Sequence, residues 1–352
     1  MIKVGLVGLG AAAGSIWIPA LRELPGVELV AGADPDPTAV GRMARLAPSM
    51  AVHQELEHLL EDHRSIDWIV IATPPDTHAR LAIQALEAGR HVVCEKPFAP
   101  TLAEVDQILA AATRAGRTVA VNHEMPSMPI VAESLRAVAS GEHGRLLFAQ
   151  VWQTLVDPPG GGWRNQGQTM AEFGTHAVDL LVQAFGEVPS AVLAAMPRPD
   201  GVVGDPVDLV TLFFSGGRAG HIVLDRLCRG AHKYLELRFD CVEASLRASM
   251  GGRASIEVGL DARSRRPRLR LDLAGGGQAW VERASERAVI ARNPTSTLAH
   301  ATGLHVQRIF EQVGRGAEPP GAGRRARDIV RVVQAAYRSA AEGRRVPLAE
   351  VD

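Results

Sequence analysis

Glu95 and Lys96 stand side by side in "HVVCEKPFAP", directly after a β-branched run that ends at Cys94. Pro97 cannot continue a central strand, so the acid and the base fall at a strand's carboxyl end. In an open α/β sheet that edge is where ligands bind. A lysine there offers a donor and a positive charge to an oxygen that becomes negative during a reaction. Farther on, "TMAEFGTHAVDLLVQAF" is apolar at helical spacing and carries Glu172 and His176 on one face, with Asp179 a further turn along. An acid that orients a histidine, and a histidine that exchanges a proton near neutral pH, form a general acid–base pair.

A third group belongs to a nucleotide. The first turn reads "GLGAAAG": Gly8, Gly10 and Ala13 fit G-x-G-x-x-G/A, with Ala12 beside them and Gly14 a one-residue-longer variant. The first glycine makes the tight turn and the second lets backbone approach a pyrophosphate. The small third residue lets the helix pack closely and aim its amino end at the anion. Asp34 follows at the end of the next strand, about 20 residues on, where an acid accepts from a ribose 2′-hydroxyl and repels a 2′-phosphate. No basic residue follows Asp34 closely, which favours NAD, with NADP the alternative. In "ATPPDTHARLA", Thr73 and Pro74 bend the chain over the same sheet edge, and His78 sits on the first turn of the following helix.

The elements that must hold these residues alternate from the start to Asn122. Strand candidates "IKVGLVG", "VELVAGAD", "DWIVIAT", "HVVCEK" and "TVAVNH" are separated by helical stretches such as "DTHARLAIQALEAG" and "TLAEVDQILAAATRAG". That alternation predicts βαβ units on a parallel sheet. Asp76 or Thr77 is the expected cap of one helix and Thr101 of the next, with Gly89 and Gly116 at the carboxyl ends. Beyond residue 124 the strands "RLLFAQVWQTL", "VDLVTLFF", "AGHIVLD" and "KYLELRFD", with turn glycines between them, predict antiparallel order.

At 352 residues the chain suits two domains of ordinary size, and Lys plus Arg (38) nearly cancels Asp plus Glu (39). Nothing in that balance advertises nucleic acid or an anionic membrane. Three scattered cysteines support neither a disulfide framework nor a zinc site, and no run is long and apolar enough to span a bilayer. A cytoplasmic protein is the expectation. "HQELEHLLEDH" spaces His53, His58 and His63 by five, which reads as a solvated helix and no metal site; "DARSRRPRLR" reads as the edge of a hairpin.

With these residues assembled, the chain resembles the glucose–fructose oxidoreductase / inositol dehydrogenase (Gfo/Idh/MocA) family. The resemblance runs through the glycine loop, "ATPPDTHARLAIQALEAGRHVVCEKPFA", "VNHEMPSMPIVAESLRAVASGEHGRL", "EFGTHAVDLL" and "DIVRVVQAAYRSAAEGRRVPL". It implies an α/β protein: a Rossmann domain over 1–123, then an α+β domain with a large, mostly antiparallel sheet over 124–352. The final helix, 325–342, is a candidate to pack back on the first domain. It also implies that Glu95, Lys96 and Asn122 line the nicotinamide end of the cofactor. By the same resemblance Lys96 polarises the substrate oxygen, His176 carries the proton, and Glu172 orients one or both.

The resemblance further implies a small sugar or polyol substrate and assembly as a homodimer or homotetramer through the open sheet face. Trp163 and Arg164 are expected near the cleft. Gln153, Asp179, Arg226 and Lys233 are further candidates for substrate contact. Three departures stand out: Glu172 replaces the family's Asp, Pro126 stands where many members carry Arg, and a glycine cluster is missing before the helix. The expected activity is hydride transfer between nicotinamide and a secondary alcohol or ketone of a sugar, cyclitol or polyol. Two alternatives keep the scaffold: an enzyme that retains its cofactor and oxidises a sugar transiently, and a non-catalytic nucleotide sensor.

Overall fold

The computed structural model describes residues 1–155, 168–229, 233–251, 255–260, 267–272, 276–284, 286–294 and 297–352. They form two compact units, one of Met1–Ser127 with Leu298–Val332 and Asp352, the other of Met128–Thr297 with Val333–Val351.

In the first unit six strands run parallel: β1 Ile2–Val7, β2 Val27–Ala33, β3 Ala51–His53, β4 Trp68–Ile71, β5 His91–Cys94 and β6 Val119–Val121. Their order, β3-β2-β1-β4-β5-β6, is that of a doubly wound dinucleotide-binding sheet. Strands β4 and β5 are almost wholly buried, as expected where helices cover both faces of a parallel sheet. Helices α1 Ile18–Arg22, α2 Pro37–Leu46, α3 Leu56–Asp62, α4 His78–Glu87 and α5 Leu102–Ala115 fill the crossovers. A wide π turn, Ala13–Trp17, leads into α1.

Thr101 caps α5 as expected: it accepts from Glu104 N while Glu104 reaches back to Thr101 N, and Gly116 closes the helix in the left-handed region. The cap expected of Asp76 or Thr77 does not form. A short 3₁₀ turn, Pro75–Thr77, precedes α4, and the Thr77 hydroxyl turns back to the preceding residues, donating to the Pro74 carbonyl at 2.8 Å and lying 2.7 Å from the Thr73 hydroxyl.

Two features of this unit depart from the linear pattern. Strand β3 lies in the stretch that reads as a solvated helix, so the sheet has six strands where five were legible, and the helix there is confined to α3. His53 ends the strand and His63 follows the helix, and their Nε2 atoms meet at 3.1 Å. In addition, α8 (Thr297–Gly314) returns to the first unit and places Val306, Ile309 and Phe310 in its core with Trp17, Leu21 and Trp68.

The second unit is built on nine strands in the order β16-β15-β12-β11-β7-β10-β9-β8-β17. They are β7 Leu146–Thr154, β8 Ala191–Ala195, β9 Val207–Phe213, β10 Ala219–Asp225, β11 Lys233–Cys241, β12 Ser245–Gly251, β15 Gly277–Arg283, β16 Glu286–Arg292 and β17 Val346–Pro347. All neighbours are antiparallel except β7 with β10. A separate hairpin joins β13 Ser255–Leu260 to β14 Pro267–Asp272, so the second half of the basic stretch does form a hairpin edge.

Alternation along β9 and β10, and along β7 from Phe148 onward, buries one face of this sheet. Helices α6 (Pro129–Ala139) and α7 (Thr175–Phe185) pack on the sheet through apolar sides. The long helix α9, Gly323–Glu342, gives its first half to one unit and its second half to the other.

Candidate functional site

In the first unit the predicted residues gather on the carboxyl edge of the parallel sheet. Gly8 has φ +89°, and a Cβ there would lie 2.6 Å from the Ala72 carbonyl oxygen, so the turn between β1 and the π turn demands glycine. A Cβ on Gly10 would meet nothing within 4 Å, which leaves the open approach a pyrophosphate needs. Ala13 is fully buried and is the small residue that seats the helix, whereas Gly14 is exposed. Ala12 precedes the π turn.

Asp34 ties the loop to β2: its Oδ2 accepts from Leu9 N at 2.7 Å and its Oδ1 from Asp36 N at 2.9 Å. One partner was not legible in the sequence. Arg42 on α2 donates to the Leu9 carbonyl at 2.9 Å, so a cation eight residues beyond Asp34 reaches the same loop. These groups suit a dinucleotide: an open glycine turn for the pyrophosphate and a carboxylate at the strand end for the ribose.

Glu95 is a hub. Its Oε1 accepts from Trp17 Nε1 at 2.9 Å and from Asn122 Nδ2 at 3.0 Å, and its Oε2 accepts from Lys96 N at 3.1 Å. One carboxylate thereby fixes the first helix, the end of β5 and the end of β6. Trp17 was not expected here; its buried indole N–H requires an acceptor, but 78 residues separate it from Glu95.

His78 is buried, with Nδ1 3.0 Å from the Pro97 carbonyl oxygen and Nε2 2.9 Å from that of Thr73. Burial lowers its pKa, against the pull of those carbonyls. It pins the turn bearing Thr73 and Pro74 to the turn after Lys96. His123, next to Asn122, is pushed down to about 3, first by burial and then by the charges of Arg325 and Lys96. It stays neutral across the physiological range.

In the second unit Glu172 lies in a wide π turn, Met170–Gly174, that runs into α7, and His176 is on the first turn of α7. Both are buried. Single π turns inside helices recur at functional sites. Arg226 Nη1 is 3.7 Å from Glu172 Oε2, each side chain 5% exposed, and the guanidinium lies over the Phe173 ring. Arg226, a candidate substrate contact in the sequence, is thus also the buried counter-charge of Glu172. Asp179 is buried and accepts from Gln183 Nε2 at 2.8 Å.

Gln153, Leu224 and Asp208 share one rung across β7, β10 and β9 and so face the same side of the sheet. Gln153 and Asp208 are fully buried, and neither the Gln153 amide nor the Asp208 carboxyl finds a hydrogen-bond partner among the described residues. Trp163 and Arg164 lie outside the described residues, and Lys233 begins β11 with its side chain likewise outside them.

Asp208 carries a pH prediction. Burial, and next the charge of Asp205, push its pKa from 3.8 to about 8. The folded chain keeps a proton that the unfolded chain releases above about pH 4. The stability this gives is whole at low pH and is lost as pH rises through about 8. The loss runs from about pH 4 to about pH 8, and Asp208→Asn preserves shape and neutrality, so its melting temperature is expected to match wild type near pH 3 and exceed it near pH 9. Parallel melting curves at the two pH values would refute the assignment.

A parallel sheet in this order with an open glycine turn and an acid at the end of β2 defines a Rossmann-type dinucleotide-binding class. The comparisons carry the assignment further. Residues 2–123 match the family model described as oxidoreductase family, NAD-binding Rossmann fold, and residues 131–247 match the GFO/IDH/MocA C-terminal domain. The chain belongs to the Gfo/Idh/MocA family, and its first unit is an NAD-binding Rossmann domain.

D-apiose dehydrogenase of Paraburkholderia graminis is 26% identical over 99% of this chain and 90% of its own length. The uncharacterized oxidoreductase YdgJ of Escherichia coli K12 is 34% identical over 56% of this chain and 58% of its own. Several curated relatives are thus matched over little more than half their length. An oxidoreductase from Agrobacterium radiobacter, solved in complex with NAD+, L-tartaric acid and magnesium, superposes with a TM-score of 0.81 at 18% identity over 99% of both chains. That likeness is one of fold. No helix among the described residues is long and apolar enough to cross a membrane.

Proposed function

We propose that this chain is an NAD-dependent dehydrogenase acting on a secondary alcohol, or the corresponding ketone, of a sugar, cyclitol or related polyol. The observation that carries the proposal is the carboxyl edge of the first sheet, where Glu95 anchors Trp17, Asn122 and the backbone of Lys96 beside the open glycine turn. Bound NAD supplies a hydride acceptor. Lys96 donates to the substrate oxygen and stabilises its alkoxide character. His176 takes the hydroxyl proton during oxidation and returns it during reduction. Glu172, held by Arg226, orients His176 and the substrate, and Gln153 offers a buried amide to a hydroxyl. Thr73, Pro74 and His78 hold the wall of the nucleotide site. Relatives named for D-apiose and inositol dehydrogenation support the substrate class.

Assembly with further copies, as a homodimer or homotetramer, belongs to the same proposal. Trp152, Val223 and Leu209 share a rung on the sheet face opposite the buried one, and Trp152 and Leu209 are exposed. Light scattering gives the particle mass, and a monomer would end that part.

The test of the activity is a panel of sugars, cyclitols and sugar acids assayed with NAD and NADP in turn for reduced nicotinamide. Turnover with NAD at least about tenfold above NADP is the expected result, since a charged hydrogen bond to the ribose contributes about 1.5–3 kcal/mol. Equal use of both nucleotides would remove Asp34 from the ribose and give the loop to Arg42. Nucleotide that remains bound through purification, with no net reduction of any panel member, would favour the retained-cofactor enzyme.

A further inference from the structure

The helix that carries Glu172 and His176 starts without a cap of its own, since no side-chain hydrogen bond from Thr169 closes its first turn. Its leading backbone N–H groups have no partners inside the helix. Two side chains from elsewhere in the second unit take them. Asp205, in the loop before β9, accepts from Thr169 N at 2.7 Å through Oδ1 and from Met170 N at 3.2 Å through Oδ2. The Tyr337 hydroxyl, on α9, accepts from Ala171 N at 3.1 Å and donates to Asp205 Oδ2 at 2.8 Å. Three successive amides are held by one acid–phenol pair, 132 residues apart in sequence.

The next residue is Glu172, whose N–H makes a helical bond to Gln168 O at 2.9 Å. Here the helix widens into its π turn. The Met170 side chain lies over Gly174, where a Cβ would come 2.5 Å from Met170 Sδ. A π turn is a less regular packing of backbone than the α-helix around it, so the positions of Glu172 and His176 depend on what fixes its leading end. Asp205 is buried. The Tyr337 phenol is kept protonated, by burial first and by Asp205 next, so it remains a donor through the working pH range.

We propose that Asp205 and Tyr337 are positioning residues that set the axial position and rotation of the turn bearing Glu172 and His176. Their role in turnover rests on the assignment of His176 as the proton carrier. Neither touches the reacting atoms; they act through the backbone of residues 169–171. Asp208, three residues beyond Asp205 on the same stretch of chain, provides an internal control, being buried beside the pair with no hydrogen bond to the helix start among the described residues.

The experiment uses the full chain and the variants Tyr337→Phe, Asp205→Ala, Asp205→Asn and Asp208→Asn. Hydrogen exchange is followed in peptides covering residues 169–176, and the His176 imidazole is titrated by NMR with labelled histidine, assigned through His176→Gln. Tyr337→Phe and Asp205→Ala are expected to speed exchange at 169–171 by about tenfold or more through local opening and to move the His176 titration. Asp205→Asn, which keeps one acceptor oxygen, falls between wild type and alanine, and Asp208→Asn changes neither. NAD affinity, set in the first unit, stays within about twofold of wild type.

On an active member of the substrate panel, kcat falls about tenfold with KM nearly unchanged, as when a transition-state contact is misplaced. A lowered melting temperature with unaltered local exchange and an unaltered His176 titration would show a merely structural pair and overturn the proposal. If Asp205→Ala does not fold, Tyr337→Phe and Asp205→Asn carry the same comparison. Faster exchange at 169–171 together with full turnover in His176→Gln would uphold the clamp and remove the proton-carrier assignment instead.

Discussion

Lys96→Ala is expected to lower kcat by about 10³-fold or more while leaving NAD affinity within a few-fold of wild type. The magnitude follows from the loss of a donor and a positive charge aimed at a developing oxyanion, where removing one donor alone costs about 10²–10³. The prediction is specific because the surroundings of Lys96 are built by other groups. Glu95 is held by Trp17 and Asn122 whether or not the lysine side chain is present. His123, which feels the charges of Arg325 and Lys96, is held near 3 chiefly by burial, so it cannot supply a replacement cation at neutral pH. Lys96→Arg keeps the charge but replaces a compact ammonium with a planar fork, so it is expected to recover only a small part of the loss. Turnover in Lys96→Ala within tenfold of wild type, measured with saturating NAD, would refute the oxygen-polarising role.

Much of the first unit was legible because each local signal there agrees with its neighbours. A β-branched run, a proline and a charged pair put Glu95 and Lys96 at a strand's end, and the strand forms with Cys94 as its last residue. The glycine turn at Gly8, the open Gly10 and the strand-end place of Asp34 were likewise readable, since they are set by backbone geometry within a short stretch of chain. What stayed hidden depends on chain return. Strand β3 has three residues, too few to show a period of two, and it is flanked by histidines and acids that suggest a solvated helix. The contact of His53 with His63 needs a strand end and a helix end to meet, which spacing on one helix cannot show.

Helix α8 follows a long run of second-unit strands, and nothing local in its sequence says that Val306 and Phe310 belong to the core around Trp17. The same limit applies to the second unit's polar interior. Glu172 and His176 are four apart and could be paired on paper. Arg226 and Asp205, by contrast, come from separate segments and are brought to that helix only by the sheet. The substitution of Glu for Asp at 172 has a physical correlate in this arrangement. Its longer carboxylate lies against Arg226 in a buried site, where an unpaired guanidinium is costly. Nothing in the structure explains the Pro126 departure.

His176→Ala is expected to lower kcat by about 10²–10⁴-fold, the usual worth of a positioned acid–base group. The shape of the loss matters more than its size. Oxidation of an alcohol needs the unprotonated imidazole, so wild-type oxidation falls on the acid side as His176 becomes protonated, while ketone reduction falls on the alkaline side as the proton is lost. Removing the imidazole should erase the His176-dependent limb in each direction and leave a flatter residual rate governed by the remaining groups. Glu172→Gln supplies the complementary case. It keeps the side chain's shape but removes the charge that faces Arg226, leaving that buried cation without its carboxylate. A folded Glu172→Gln enzyme should therefore be less stable than wild type and shifted in pH profile, whereas His176→Ala leaves the Glu172–Arg226 pair in place. If His176→Ala retained both its rate and its two pH limbs, the proton would have to travel by another group, and Asp179, one turn farther along the same helix, would be the residue to replace next.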